Sequence, residues 1–197
     1  MIGNMMNFYK FISAFFCLFF CQTVFSQPFD VSFIDNKNLS DISVEFNNTL
    51  ELRGLKIEKD GNKEILTVPY YKSKNNRYDH FYFLDRQFKE NLISEIKSSK
   101  NIYKKNASTV DYKINKFNII EKTSKAKAFV SVIFNDKIEV QCSILNGKYG
   151  LWVQWPSEKR GNKWKKLFLI KDAELKYKIE KEILVLYQQK KNKGTQL

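Results

Sequence analysis

The chain has a single histidine, His80, among its 197 residues. Catalytic triads and most protein metal sites need histidine, often more than one, so this scarcity argues against both. His80 lies in Asp79-His80-Phe81, at a predicted strand start, and we expect it to have a structural role.

Cysteine is also scarce. Two of the three cysteines, Cys17 and Cys21, lie in an apolar N-terminal segment, and removal of that segment would leave Cys142 alone. A lone cysteine forms no intrachain disulfide and no structural zinc site, so packing must hold the fold together. Cys142 alternates with polar residues in a predicted strand and is expected in the core.

Active-site signatures are missing as well. The sequence has no phosphate-binding glycine loop, no ligand set at metal-binding spacing, and no serine or cysteine near a usable base. We therefore predict a protein that is not an enzyme and that uses no cofactor, no metal and no small-molecule substrate.

Residues 1–26 are typical of a secretory signal peptide. Lys10 supplies positive charge, residues 11–20 are apolar, and Val24-Phe25-Ser26 suits a signal peptidase. Cleavage after this triplet predicts an exported protein, either periplasmic or secreted. Two alternatives stay open: a membrane anchor, which reaches the usual length of about 20 apolar residues only if residues 21–25 are included, and a cytoplasmic protein.

Basic residues outnumber acidic ones, 34 to 21, for a net charge of +13. This excess favours a polyanionic partner, such as nucleic acid or an acidic envelope polymer, although biased base composition would also produce it. The charge is uneven, because residues 107–197 have a net charge of +10 and residues 27–106 a net charge of +2. We therefore place any polyanion site in the second half.

The sequence contains an internal repeat with an offset of 87 residues, which pairs Pro69 with Pro156 and Asp85 with Asp172. Upstream the offset is 88, and the change near Gly54 predicts a β-bulge there. Each copy reads as strands followed by one helix that begins at its aspartate. In the second copy the predicted strands are 110–120, 126–134, 138–144 and 151–155, with turns at Asn135-Asp136 and Asn146-Gly147. The apolar positions of its predicted helix are Leu175, Ile179, Ile183 and Leu186 or Tyr187.

These patterns predict an α+β fold of two tandem repeats, each an antiparallel sheet of about four strands followed by a C-terminal helix. The predicted boundaries are 1–26 for the signal peptide, 27–99 for a degenerate repeat, 100–108 for a linker, 109–189 for the second domain and 190–197 for a tail. The short linker favours an internal pseudo-dimer, and a homodimer is the alternative.

The candidate binding site is a lysine-rich hairpin with an aromatic residue. Cations that face one backbone and an aromatic side chain that stacks on bases are the features that single-strand binding uses. We predict the nucleic-acid-binding residues to be Lys159, Arg160, Lys163, Trp164, Lys165, Lys166 and Trp152. The alternative is a solvated hairpin in which Trp164 closes the edge of the core.

The segment Gly150-Leu151-Trp152-Val153-Gln154-Trp155-Pro156-Ser157-Glu158-Lys159-Arg160 resembles the most recognisable segment of the SpoVG family, and the resemblance extends over about 110–187. Three departures stand out: Glu158 interrupts the Pro-Ser-Lys-Arg block, residues 167–170 lack a His-Pro pair, and the first copy keeps only Val68-Pro69-Tyr70-Tyr71-Lys72.

The resemblance implies a four-stranded antiparallel sheet with a C-terminal helix, dimerisation, binding to single- or double-stranded nucleic acid, and a role in septation, sporulation or virulence gene expression. It implies no enzymatic activity. Because that family acts inside bacterial cells, the predicted leader supports an alternative, an exported periplasmic or envelope interaction protein that keeps the fold without binding nucleic acid.

Overall fold

The computed structural model describes residues 29–36, 39–98, 109–120 and 124–194. The predicted signal peptide, the predicted linker and residues 195–197 lie outside these ranges. In the first half, seven strands precede one helix: β1 (Val31–Asn36), β2 (Ile42–Phe46), β3 (Leu50–Asp60), β4 (Lys63–Thr67), β5 (Tyr70–Ser73), β6 (Asn76–Asp79), β7 (Phe81–Phe83) and α1 (Arg86–Ser98).

The second half has the same order of elements. These are β8 (Tyr112–Ile119), β9 (Ala126–Phe134), β10 (Ile138–Gly147), β11 (Gly150–Gln154), β12 (Ser157–Arg160), β13 (Lys163–Lys166), β14 (Phe168–Ile170) and α2 (Ala173–Gly194). The predicted α+β class and a helix near the C-terminus are confirmed. Neither helix of the described residues is long and apolar enough to cross a membrane.

Two five-stranded antiparallel sheets form the body of the molecule. In the first, the order is β1-β2-β3-β14, and β4 pairs with the far end of β3. In the second, the order is β11-β10-β9-β8, and β7 pairs with β10. Each sheet thus has four strands from its own half, as the prediction of about four strands per copy requires, and a fifth strand from the other half, which the sequence did not predict.

The exchanged strands are short and apolar. Phe81 in β7 and Phe168 in β14 are almost fully buried. The backbone of β14 pairs with β3 of the first half, while the ring of Phe168 packs against Phe134 and Trp155 of its own half. Backbone hydrogen bonds extend the contact: the amide of Arg53 donates to the carbonyl of Leu167 at 2.8 Å, and that of Gln141 to the carbonyl of His80 at 3.0 Å.

The second sheet buries the residues that its alternating pattern predicted. β9 lies between β8 and β10, and its side chains from Ser131 to Phe134 are buried on both faces, as a central strand requires. Val140, Cys142, Val153 and Trp155 are all buried, which confirms the predicted core.

Both helices begin as predicted. Asp85 accepts a hydrogen bond from the amide of Phe88 at 3.0 Å, and Asp172 accepts one from the amide of Leu175 at 3.0 Å. The second helix is longer than predicted: it passes the expected boundary at 189 and ends at Gly194. Residues 188–192 are exposed and rich in glutamine and lysine, which are good helix formers and carry the helix into the segment predicted as a tail.

Two of the predicted irregularities are confirmed and one is wrong. Gly54 has φ +77° and is the extra residue where β2 pairs with β3, so the bulge is present. Asn135 and Asp136 form a turn with positive φ values. Asn146-Gly147 is not a turn, because Gly147 pairs with Gly150 in the β10–β11 ladder. The left-handed conformation falls on Gly150 instead, with φ +106°.

Candidate nucleic-acid interface

The predicted binding residues from Lys159 to Lys166 lie on the hairpin β12–β13, which turns at Gly161-Asn162. Lys159 pairs with Trp164 across the hairpin, and Ser157 pairs with Lys166. Because side chains alternate between the two faces of a strand pair, these four residues share one face, which we call face A. Glu158, Lys165, Arg160 and Lys163 share the opposite face, face B.

Face B is held to the first half of the chain. Asp41, which precedes β2, lies 3.0 Å from the Lys165 ammonium and 3.9 Å from the Arg160 guanidinium. Arg160 also forms an ion pair with Glu158, the residue that interrupts the family block. Exposed ion pairs contribute little to stability, but they neutralise part of the local charge. Arg160 and Lys165 are therefore weaker candidates for phosphate contacts than the sequence predicted.

Face A points to solvent. Trp164 is 68% exposed, so the alternative in which it closes the core edge is wrong. Lys159 and Lys166 flank it on this face, and Lys163 lies at the hairpin tip. None of these three lysines forms an ion pair with another described residue. Face A therefore presents two uncompensated cations, Lys159 and Lys166, beside one exposed indole, and Lys163 adds a third at the tip on face B.

Trp152 is separate from the hairpin. It lies on β11, where it pairs with Leu145 of β10, and it is 42% exposed. A side chain added at Gly147 would come within 3.2 Å of its indole nitrogen, so the indole covers that glycine. Trp152 nevertheless lines the same groove as Lys166 of face A.

A groove of about 680 Å³ lies beside the hairpin, between α2 and the strands β11 and β14. Trp155 lies along it and donates a hydrogen bond from its indole nitrogen to Glu180 at 2.7 Å. The ammonium of Lys176 lies 3.6 Å from the same carboxylate oxygen. Lys166 of face A also lines the groove, so the groove and the hairpin form one continuous surface.

The sequence-based prediction missed a second aromatic hairpin, β5–β6, which occupies in the first half the place of β12–β13. The rings of Tyr71 and Tyr78 stack at 5.0 Å, and the Arg77 guanidinium lies 4.1 Å from the ring centre of Tyr70. Partial burial, reinforced by Tyr78, raises the pKa of Tyr71. The 87-residue offset was the signal that could have identified this hairpin, since it matches Lys72 with Lys159.

The described residues include no cluster of three or more histidine, cysteine or acidic side chains that could hold a metal ion. His80 is half-buried, and burial lowers its pKa. Its backbone joins the two halves, because its amide donates to the carbonyl of Pro69 at 3.0 Å and its carbonyl accepts from Gln141.

Comparison with known proteins finds a family match for part of the chain. No curated protein and no solved structure matches the chain. The SpoVG family model matches residues 108–189, which include β8 to β14 and most of α2. SpoVG proteins are generally not enzymes and are related to sporulation and septation. The resemblance seen in the sequence is therefore confirmed over residues 108–189.

Proposed function

We propose that this protein is a non-enzymatic, SpoVG-like protein that binds nucleic acid through face A and the tip of the β12–β13 hairpin. The observation that carries the proposal is the exposed Trp164 between Lys159 and Lys166, with Lys163 at the tip. Lysines neutralise backbone phosphates, and an exposed indole stacks on any unpaired base. This combination favours a single strand over a duplex, whose bases are already stacked.

The test is a salt titration of binding to single-stranded DNA or RNA. Each phosphate contact should contribute about −0.7 to the slope of log K against log salt. Changing Lys159, Lys163 and Lys166 together to glutamine should weaken binding and flatten the slope by roughly 2. The matched control changes Lys72, Lys74 and Lys89 of the first half to glutamine, which removes the same charge and should leave most of the binding.

Two results would overturn this proposal. One is binding that does not weaken as salt is added. The other is an equal loss of affinity in the two triple variants, since that would reflect net charge and not the hairpin. A separate Trp164→Ala variant should lose about 1–3 kcal/mol of binding free energy if the indole stacks on a base.

We further propose that the two halves are copies of one unit, fused as an internal pseudo-dimer. The same order of elements and the reciprocal exchange of β7 and β14 support this. Hydrogen bonds also occur in matching pairs: the amide of Leu84 donates to the carbonyl of Lys137 at 2.8 Å, and that of Lys171 to the carbonyl of Thr49 at 2.7 Å. Because the exchange is complete within one chain, sedimentation should give a monomer; a dimer would count against this proposal.

A second candidate function is that of an exported interaction protein of the envelope that keeps the fold without binding nucleic acid. The predicted leader at residues 1–26 supports it, as does the neutralisation of Arg160 and Lys165 by acidic neighbours. N-terminal sequencing of the native protein after cell fractionation separates the two candidates. A first residue at Gln27 in an extracytoplasmic fraction favours export, and retention of Met1 in the cytoplasm contradicts it.

A further inference from the structure

The groove between α2 and β11 contains a carboxylate that is held in place and has one oxygen available. Trp155 forms part of its wall and is only 8% exposed, because its ring packs against Phe168 at 5.2 Å and Phe134 at 6.5 Å. Its indole N–H fixes one oxygen of Glu180. The other oxygen makes no hydrogen bond to a described residue, so it can accept one from a ligand.

The other side chains of the groove suit a ligand that has a planar ring and a negatively charged group. Tyr177 is 66% exposed at the rim, and the Lys181 ammonium lies 5.9 Å from the centre of its ring. Lys166 brings the cationic face A to the groove. A ligand that crosses from the hairpin to the groove would therefore meet cations first, then an aromatic ring, then the carboxylate of Glu180.

The corresponding groove of the first half has a different acceptor. It is smaller, about 330 Å³, and Asp79 occupies the place of Lys166, where it forms an ion pair with Arg77 at 2.7 Å. Aromatic and cationic side chains line it as well, but Val68 replaces Trp155, and Ile93 replaces Glu180. Of the two grooves, the second is therefore the one in which an indole N–H holds a carboxylate of the helix.

We propose that this groove holds one unpaired nucleobase of the bound strand and selects bases that carry an exocyclic amino group, with Glu180 as the acceptor. The inference rests on the nucleic-acid binding proposed above. Cytosine and adenine can donate an amino N–H to a carboxylate. Thymine and uracil place carbonyl oxygens there, whose lone pairs repel it. Tyr177 would stack on the base while Lys166 and Lys181 contact the flanking phosphates.

The experiment compares the affinities of dC12 and dT12 for the full chain at one salt concentration by fluorescence anisotropy. A single hydrogen bond to the carboxylate should favour dC12 by about tenfold. Glu180→Gln keeps an oxygen for Trp155 but replaces the acceptor with an amide, so it should reduce the preference for dC12 to near unity. Glu174→Gln, on the exposed first turn of α2, removes the same charge and should preserve the preference.

A second variant tests the groove in case Glu180→Gln does not fold. Tyr177→Ala changes an exposed residue and should weaken binding to both oligomers by a similar factor, about fivefold to a hundredfold, while keeping the preference for dC12.

The possible failures can be told apart. If the protein binds dC12 and dT12 equally, with the expected salt dependence, the groove inference is wrong and the proposed function stands. If it binds neither oligomer, the proposed function fails. A preference for dC12 that survives in Glu180→Gln would remove the role given to Glu180.

Discussion

Cys142 shows how completely the core excludes solvent. It is 4% exposed on β10, and burial, with a smaller contribution from the Glu180 carboxylate, raises the pKa of its thiol to about 12. The thiolate is the reactive form, so this cysteine should be chemically inert while the protein is folded.

We therefore expect Ellman's reagent at pH 8 to leave Cys142 unmodified in the native protein and to modify it fully in urea. The measurement needs a chain in which Cys17 and Cys21 are changed to serine, so that only one thiol reports. Rapid modification without denaturant would show that β10 opens and that the packing described around Trp155 is wrong.

Asp85 forms an ion pair that links the two halves of the chain. It caps α1 and forms an ion pair with Lys137, which lies in the turn between β9 and β10. The hydrogen bond from Lys137, followed by that from the amide of Phe88, lowers the pKa of Asp85. Because the pKa is lower in the folded than in the unfolded state, the charged carboxylate stabilises the fold when the pH is above the unfolded-state pKa. This stabilisation is lost as the pH falls below about 4.

Asp85→Asn should consequently lower the thermal midpoint at pH 7, and its difference from wild type should narrow below about pH 4. Asparagine still caps a helix, so the change removes the charge and keeps the cap. Asp172→Asn is the matched control, because Asp172 caps α2 without an ion pair to a described residue. A difference that stays constant with pH would refute the role given to the Lys137 ion pair.

Among the elements, local pattern predicted more than long-range pairing did. Alternation and capping identified β9, β10 and both helix starts, because each depends on residues close in sequence. The two faces of the β12–β13 hairpin could not be assigned in the same way. Asp41 neutralises Lys165 from 124 residues away, and no local signal reports such a partner. The groove was missed because its lining comes from β11, β14 and α2, whose residues meet only in the folded chain.

The β3 bulge gives an element-scale prediction. Gly54 has φ +77°, where any side chain is strained, and an added Cβ would meet Leu167 at an ordinary 3.5 Å. Gly54→Ala should thus cost about 1–2 kcal/mol of unfolding free energy from backbone strain, measured by urea denaturation. Gly54→Asn should cost less, since asparagine tolerates this conformation. Equal stability of Gly54→Ala and wild type would contradict the bulge.

For the whole molecule, the sequence predicted that both halves have the same order of elements, but it did not predict the exchange of strands. The 87-residue offset does not indicate whether β7 joins the sheet of its own half or the sheet of the other half. Phe81 and Phe168 are apolar in either arrangement. The exchange pairs residues far apart in sequence, which a local pattern does not report.

The exchange predicts what happens when the chain is cut. A protease site inserted between residues 99 and 108 should yield two fragments that elute together in gel filtration, because β7 and β14 remain paired with the opposite sheets. Separation should require denaturant. Fragments that elute separately under native conditions would show that the exchanged strands contribute little to the contact between the halves.

The reciprocal pairing of β7 and β14 is intramolecular, because both strands belong to the same polypeptide as the sheets they join. Separate subunits that exchange strands dissociate on dilution, since their association follows mass action. The pairing of β7 and β14 within one chain has no such dependence on protein concentration.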